Sequence, residues 1–217
     1  MKKFLVCILS MIMVTFAGCG GENSKPESAT EKTSQPVAGN DTAKAHGKVL
    51  VAYFSRADDN YNVGVIEKGN TKIVAEMIAA ETGADMFEIK PAKPYPADYR
   101  ECTEVAKTEK ESKARPEIVG KVENFSDYDI IFLGYPIWWS DLPMAVYTFL
   151  EQENFADKKI VPFCTHEGSG LGATEKFISE ATHAEVLSGF ALQGSIVQND
   201  KDKTKSELDA WLKKINF

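Results

Sequence analysis

Short apolar runs rich in β-forming residues alternate with amphipathic helical patterns from about residue 47 to the end of the chain. The apolar runs predict five strands, near Val49–Phe54, Asp85–Ile89, Asp129–Gly134, Lys159–Cys164 and Glu185–Leu192. The amphipathic patterns predict helices near Asn70–Thr82, Tyr99–Ser112, Pro143–Gln152, Thr174–Ala181 and Thr204–Ile215. Repeated units of strand, helix and strand form a parallel sheet with helices on its faces. The sequence therefore predicts an α/β fold, a three-layer α/β/α sandwich around a five-stranded parallel sheet.

The final helical pattern has the clearest predicted start. Thr204-Lys205-Ser206-Glu207 matches a capping box, in which the first and fourth side chains satisfy backbone amides of the first turn. Downstream apolar residues recur at helical spacing, at Leu208, Trp211, Leu212 and Ile215. We expect this helix to begin at Thr204 and to pack its apolar face on the sheet.

The first residues of the chain have the features of an export signal. Met1-Lys2-Lys3 precedes an apolar run from Phe4 to Phe16, which is too short for a bilayer span of about 20 residues. The segment Phe16-Ala17-Gly18-Cys19 resembles a bacterial lipobox, whose cysteine is acylated. The resemblance implies that residues 1–18 are removed and that a lipid on Cys19 anchors an exported protein to the membrane. The alternative is an ordinary secretory signal followed by an incidental cysteine.

Residues 19–46 contain almost no large apolar side chain, so we expect a disordered tether there. Residues 47–217 are long enough for one domain with a sizeable core. Cys102 and Cys164 lie in this domain and lack metal-binding spacing. We expect two buried thiols rather than a disulfide.

Acidic residues dominate the charge of the predicted mature chain. Without residues 1–18, the chain has 23 Lys and Arg against 32 Asp and Glu, a formal charge of −9. This balance argues against nucleic acid and against an anionic membrane surface as partners. The lipid anchor is then the expected membrane contact.

Two adjacent tryptophans follow the third predicted strand. The segment Gly134-Tyr135-Pro136-Ile137-Trp138-Trp139 begins where the buried run ends, because Pro136 cannot donate to a strand ladder. Ligands of doubly wound sheets bind beyond the carboxyl ends of the strands, where an indole can stack on a flat ring. The alternative is that both tryptophans are core residues.

The first strand and the following helix also offer a site. Ser55-Arg56 ends the strand segment, and Gly69-Asn70-Thr71 begins the helix. The unpaired amides and the dipole at a helix start bind anions, and Gly69 permits close backbone approach. The alternative is an ordinary helix cap by Asn70 or Thr71.

A glycine-rich loop, Thr165 to Gly172, follows the fourth predicted strand. Its glycines allow backbone groups to contact a ligand edge. A dinucleotide fingerprint is a poor match because this loop does not follow the first strand of its unit. A serine nucleophile elbow also fails, since Glu167 and Leu171 occupy the glycine positions. His166 either contacts a ligand or is a solvated loop residue.

These three loops together resemble the FMN-contacting loops of the flavodoxin-like family, in a subgroup with a Y-P-x-W-W second loop. The resemblance covers Gly47 to Phe217 and implies strand order 2-1-3-4-5. It implies that FMN phosphate contacts Ser55, Asn70 and Thr71, and that Trp138, which we favour, or Trp139 stacks on the isoalloxazine. The cofactor-binding residues predicted in full are Ser55, Arg56, Gly69, Asn70, Thr71, Tyr135, Pro136, Ile137, Trp138, Trp139, Thr165, His166, Glu167, Gly168, Ser169 and Gly170.

The sequence departs from the family pattern in the first loop. Residues Ala57 to Lys68 intervene between Ser55-Arg56 and Gly69-Asn70-Thr71, which are nearly contiguous in the family. We expect this insertion, which contains Asp58, Asp59, Asn60 and Tyr61, to form a flap over the ligand or a partner surface. The long segment from Pro91 to Val119 is expected to contain a helix with a solvated face, and the alternative is a docking surface.

The resemblance implies an FMN-dependent redox protein that transfers electrons to a partner protein or a small acceptor. An acidic surface suits a basic redox partner. Two alternatives stay open from the sequence: an NAD(P)H-dependent reductase of quinones or other small molecules, and a binding lipoprotein of flavodoxin fold without a redox role.

Overall fold

The computed structural model describes residues 47–217, which form one parallel sheet between two layers of helices. The sheet contains β1 (Val49–Tyr53), β4 (Asp85–Glu88), β5 (Ile130–Pro136), β6 (Lys159–His166), β7 (Glu185–Val186) and β8 (Phe190–Gln193). The insertion contributes β2 (Asp58–Asn60) and β3 (Gly64–Ile66), which form a separate antiparallel hairpin. The helices are α1 (Asn70–Thr82), α2 (Tyr99–Ser112), α3 (Met144–Gln152), α4 (Thr174–Thr182), α5 (Gly194–Asn199) and α6 (Lys201–Lys214). A 3₁₀ turn spans Phe125–Asp127.

The sheet order is β4, β1, β5, β6 and then β7 with β8, all paired in parallel. The predicted fold class and the order 2-1-3-4-5 are therefore confirmed, with β7 and β8 sharing the fifth position. The prediction of one unbroken strand over Glu185–Leu192 is wrong. Between the two short strands, residues 187–189 oppose only Val161 and Pro162 of β6. Because Pro162 has no N–H to donate, the ladder is interrupted at this point.

Side chains of β1 alternate between two hydrophobic clusters, one on each face of the sheet. Leu50 and Ala52 belong to the cluster that includes Phe149 of α3 and Ile178 of α4. Val49, Val51 and Tyr53 belong to the other cluster, together with residues of α1 and α6. A strand covered on both faces explains why its sequence is continuously apolar. These two cores fix the carboxyl ends of β1, β5 and β6 at one edge.

The helix boundaries follow the sequence patterns closely except at the end of the chain. The helices over Asn70–Thr82 and Tyr99–Ser112 have the predicted bounds. The predicted start of the last helix at Thr204 is wrong, because α6 begins at Lys201. Asp200 caps this helix by accepting a hydrogen bond from the amide of Lys203 (2.9 Å). Thr204 is buried and donates its hydroxyl to the Asp200 carbonyl, so it cannot serve as the cap.

Four predictions about the first part of the chain lie outside the described residues: the signal peptide at 1–18, its cleavage before Cys19, lipidation of Cys19 and the tether at 19–46. Within residues 47–217, no helix is long and apolar enough to cross a membrane. Cys102 and Cys164 are buried and free, as predicted for these two thiols.

Candidate ligand-binding site

A cavity of about 280 Å³ lies at the carboxyl ends of β1, β5 and β6. All three predicted loops contribute to its wall. Predicted site residues that line the cavity are Arg56, Asn70, Pro136, Ile137, Trp138, Trp139, Thr165, His166 and Glu167. The remaining predicted residues lie behind this wall or further along the same loops: Ser55, Gly69, Thr71, Tyr135, Gly168, Ser169 and Gly170.

The start of α1 packs closely against the loop that follows β1. A Cβ atom at Gly69 would lie 2.3 Å from both the Arg56 carbonyl oxygen and Ser55 Oγ, so only glycine fits there. Ser55 Oγ accepts a hydrogen bond from the amide of Lys72 (3.0 Å) and so caps the helix from a neighbouring loop. The amides of Asn70 and Thr71 donate to no acceptor among the described residues. These two unpaired amides and the helix dipole form an anion site.

The side chains of this helix start have structural partners. Thr71 Oγ1 is buried and shares a 2.8 Å hydrogen bond with Thr165 Oγ1, which joins α1 to the end of β6. Asn70 Oδ1 accepts a hydrogen bond from Gln198 Nε2 (2.7 Å). Because both groups are engaged by other side chains, the backbone amides are the groups best placed to receive an anion.

Arg56 lines the cavity, but its guanidinium is occupied by backbone carbonyls. It donates to the carbonyl oxygens of Asp59 (2.5 Å), Pro96 (2.6 Å) and Ala97 (2.6 Å). These bonds join the inserted hairpin to the segment that precedes α2. Arg56 therefore organises the wall of the cavity rather than presenting a free cation.

The two tryptophans occupy different environments on a tight turn after β5. Trp138 is half-buried, and its ring packs edge-to-face against Phe54 (5.2 Å between centroids) and Tyr95 (4.9 Å). Trp139 is 47 % exposed and donates its indole N–H to the Thr103 carbonyl of α2 (3.0 Å). Thus Trp138 is the more firmly held aromatic side chain of the cavity wall.

This turn holds both indoles at the mouth of the cavity. Trp138 and Asp141 exchange two backbone hydrogen bonds of 2.9 and 3.0 Å. The central residues Trp139 and Ser140 have positive φ angles of 50° and 62°, as a type I′ turn requires. Lys110 of α2 donates to the Trp139 carbonyl and pairs with Asp141 (3.6 Å). These contacts keep the turn against α2.

Tyr135 belongs to the core rather than to the cavity. Its side chain is fully buried, and its hydroxyl donates to Thr174 Oγ1 (2.8 Å) at the start of α4. Burial raises the pKa of the Tyr135 hydroxyl, which stays neutral. Tyr135 thus fixes the loop from behind, while Pro136 and Ile137 reach the cavity.

The glycine-rich loop after β6 depends on backbone conformations that favour glycine. Gly168 and Gly170 have φ angles of 128° and 62°. His166 Nδ1 accepts a hydrogen bond from the Gly168 amide (2.8 Å), which folds the loop back on itself. Desolvation lowers the pKa of His166, so the neutral ring that this bond needs is favoured. Ser169 is exposed, and its hydroxyl lies 3.4 Å from the Gly170 carbonyl.

Glu167 connects this loop to two other parts of the site. At the start of α5, the Ser195 amide donates to Glu167 Oε1 (2.7 Å) and the Ser195 hydroxyl donates to Glu167 Oε2 (3.1 Å). Oε2 also accepts a hydrogen bond from Asn62 Nδ2 (3.2 Å) in the inserted hairpin. These three hydrogen-bond donors satisfy the Glu167 carboxylate, which explains how an acidic side chain is accommodated beside a proposed anion site.

The α2 side of the cavity wall was not predicted from the sequence. It consists of Tyr99, Cys102, Thr103 and Ala106. Asn60 and Tyr61, from the insertion that was expected to form a flap over the ligand or a partner surface, also line the cavity. The α2 residues follow helical spacing, which is the signal that could have identified them. The neighbouring residues of α2 are mostly charged, so the sequence indicated only the solvated face of this helix and not the face that lines the cavity. Burial raises the pKa of the Cys102 thiol, which keeps it neutral.

The cavity thus combines an aromatic wall, unpaired amides at a helix start and a loop with accessible backbone. This arrangement suits a flat ring system that carries an anionic tail. Within residues 47–217, no group of three or more His, Cys, Asp or Glu side chains is arranged to hold a metal ion.

Residues 48–215 match the sequence model of the flavodoxin family. This chain belongs to the flavodoxin family. The match covers both the fold and the three loops that line the cavity. No curated protein sequence matches the chain.

Two solved structures extend the family assignment. A protein of Bacteroides eggerthii described as a flavoprotein is 32 % identical, with a TM-score of 0.63, and the match covers 79 % of this chain and 99 % of that one. A protein of Bacteroides uniformis with the same description is 30 % identical, with a TM-score of 0.59, over 77 % and 98 % of the two chains. A flavoprotein of Lactobacillus acidophilus, solved in complex with FMN, shares the fold at 24 % identity and a TM-score of 0.57, over 76 % and 99 % of the two chains.

Proposed function

We propose that this flavodoxin-family protein binds FMN and transfers electrons through it on the extracytoplasmic side of a membrane. The observation that carries the proposal is the convergence of three loops, distant in sequence, on one cavity with an aromatic wall and unpaired helix amides. Membership of the flavodoxin family and the FMN complex of the Lactobacillus acidophilus relative support the choice of FMN.

Each part of FMN has a matching group in the site. The phosphate would accept hydrogen bonds from the amides of Asn70 and Thr71, where Gly69 lets the backbone approach closely. The isoalloxazine would lie against Trp138, which Phe54 and Tyr95 hold from the side. The backbone of the loop from Thr165 to Gly170 would meet the edge of the ring.

When bound, FMN supplies the capacity to accept and release one or two electrons. The protein residues bind and orient it and exclude water from the ring. The hydrogen bond between Thr71 and Thr165 joins the start of α1, where the phosphate would bind, to the end of β6, where the ring edge would lie. The Trp138–Asp141 turn keeps the aromatic wall in place.

Electron transfer rather than NAD(P)H-dependent reduction is favoured by two considerations. The inserted hairpin contributes Asn60 and Tyr61 to the cavity wall, where a cover over the bound flavin would hinder a nicotinamide from reaching the ring. The proposed exported location also lacks a ready supply of NAD(P)H. A partner protein or small electron acceptor would therefore receive electrons from the bound flavin.

The test of FMN binding is an absorbance spectrum of the protein after refolding with FMN and removal of free cofactor. We expect flavin bands at one FMN per chain. Added FMN should also stabilise the protein, by about 2.7 kcal/mol at a concentration 100 times the dissociation constant. A colourless protein with an unchanged unfolding midpoint would instead support a binding lipoprotein without a redox role.

Stopped-flow reduction separates electron transfer from the reductase alternative. We expect slow reduction of the FMN-loaded protein by NADPH, without saturation at rising NADPH concentration. Fast, saturable reduction would assign the protein to the NAD(P)H-dependent reductases of quinones or other small molecules.

The proposed lipid anchoring depends on Cys19 and is tested in cells. The Cys19→Ala variant should leave the membrane fraction and lose incorporation of labelled palmitate. Cys7→Ala, in the proposed signal peptide, is the matched control and should keep both. If Cys19→Ala stays membrane-bound, the anchor lies elsewhere.

A further inference from the structure

Tyr61 projects from the tip of the inserted hairpin into the wall of the proposed FMN site. Its ring stacks on Tyr99 of α2, with 6.0 Å between centroids and 26° between ring planes. Both rings line the cavity, yet Tyr61 remains 58 % exposed. Tyr99 stacks on one face of the Tyr61 ring, and the exposed part of the ring is available to a second flat group.

The base of the hairpin is fixed to the segment that precedes α2. The Arg56 guanidinium joins the Asp59 carbonyl to those of Pro96 and Ala97. The Asp59 amide also donates to the Ala97 carbonyl (3.2 Å). These contacts connect the hairpin to the α2 side of the cavity.

The tip of the hairpin also contacts a second part of the cavity wall, the loop after β6. Asn62 Nδ2 donates to Glu167 Oε2 in the loop after β6, 105 residues further along the chain (3.2 Å). Tyr61 contacts α2 while its neighbour Asn62 contacts the β6 loop. The hairpin therefore links two elements of the cavity wall, α2 and the loop after β6.

We propose that the hairpin covers the isoalloxazine and that Tyr61 forms the aromatic wall on the side opposite Trp138. This inference rests on the proposed FMN site. Tyr61 lies in the insertion, outside the three segments predicted to contact FMN, and would be an additional cofactor contact. The ring is then held between two aromatic walls, one from the sheet edge and one from the insertion.

This arrangement limits the class of electron partner. A nicotinamide must lie flat on the flavin ring to react, whereas a one-electron protein partner needs only the ring edge. With one face against Trp138 and the other covered by the hairpin, the edge is the accessible part. The hairpin thus selects one-electron protein partners over nicotinamides.

The experiment compares Tyr61→Ala with Val65→Ala in the full chain loaded with FMN. Val65 is the matched control because it lies in the same hairpin, is 83 % exposed and is not part of the cavity wall. FMN dissociation constants are measured by flavin fluorescence titration, and visible circular dichroism of the bound flavin reports its stacking. We expect Tyr61→Ala to weaken FMN binding about tenfold, because the variant loses aromatic stacking on the ring, and to change the dichroism.

Two further variants separate stacking from hairpin position. Tyr61→Phe keeps the ring and should bind FMN within about twofold of the natural protein, a small effect on this scale. Asn62→Ala removes the bond to Glu167 and should speed FMN dissociation severalfold. Far-ultraviolet dichroism confirms that each variant is folded.

The outcomes distinguish the two proposals. If the natural protein binds FMN and Tyr61→Ala matches Val65→Ala in affinity and dichroism, the hairpin cover is wrong and the FMN site stands. If the natural protein binds no FMN, the proposed function fails and the cover fails with it.

Discussion

At the start of α1, the absence of a side chain at Gly69 allows the helix to approach the loop that follows β1. The Ser55 hydroxyl then takes over the capping role that a side chain at the helix start normally performs. The sequence indicated this region because glycine before a helix is a recognisable pattern. The sequence did not indicate that Ser55, 17 positions before Lys72, would cap the helix.

The Gly69→Ala variant tests this packing. The new methyl group would meet a backbone carbonyl that cannot rotate away, so we expect a loss of stability of about 1–3 kcal/mol. FMN affinity should fall at least about tenfold, because the unpaired amides move with the helix start. Urea unfolding and fluorescence titration measure the two effects.

Gly83→Ala, at the other end of α1, is the control for Gly69→Ala. Gly83 has a φ angle of 69°, so alanine costs about 1 kcal/mol there without approaching the cavity. Equal FMN dissociation constants for the two variants would contradict the phosphate assignment.

His166 gives the site a pH dependence at the residue scale. Desolvation holds its pKa below the ordinary value, because burial disfavours the charged ring. Its contribution to stability is complete above the unfolded-state pKa of about 6.5 and is lost as the pH falls through the folded-state pKa. Protonation of Nδ1 also removes the acceptor for the Gly168 amide.

We therefore expect FMN affinity to decline as the pH falls through the folded-state pKa of His166, which lies below the ordinary value of about 6.5. Titration of FMN binding between pH 7 and 5 measures this effect, and His166→Gln should flatten the profile. His183→Gln, at an exposed histidine beyond α4, is the control. A profile that stays unchanged in His166→Gln would assign the dependence to another group.

At the scale of elements, periodic patterns predicted the regular parts of the fold and failed where long-range contacts decide a boundary. Tyr99–Ser112 was predicted within its observed bounds because its pattern and its Asp98 cap are local. The hairpin of β2 and β3 was not predicted as strands, since its segments are short and lack apolar alternation. Its position depends on Arg56 and Asn62, whose partners lie far along the chain.

The start of α6 provides a test at this scale. Because the Asp200 carboxylate accepts from the Lys203 amide, Asp200→Ala should lower the free energy of unfolding by about 1 kcal/mol. Urea unfolding measures this change. Asp202 is the second residue of α6 and makes no capping hydrogen bond, so Asp202→Ala should lower the free energy of unfolding by less. An equal decrease for the two variants would show that the cap contributes little.

At the scale of the whole molecule, charge bears on the choice of partner. After residue 18 the chain carries 23 Lys and Arg against 32 Asp and Glu. Such an excess attracts basic proteins over distances set by the ionic strength. The acidic balance is a property of sequence alone and needs no fold to predict it.

Electron transfer from the reduced, FMN-loaded protein to a small basic haem protein should therefore slow as salt is added. We expect the second-order rate constant to fall about tenfold between 10 and 200 mM ionic strength, because screening weakens the attraction. Stopped-flow absorbance at the haem band measures the rate. An acidic haem protein of similar size is the control, and equal salt dependence for both would contradict electrostatic steering.

The sequence by itself determined the layer architecture and the edge of the sheet at which the site lies. Strand and helix periodicities are local, and parallel strands bring their carboxyl ends to one edge whatever their side chains do. Only the tertiary structure decided which side chains reach the cavity. Tyr135 is buried in the core, Thr71 is hydrogen-bonded to Thr165, and Tyr61 lines the cavity. These orientations depend on contacts between residues distant in the chain, which no local pattern encodes.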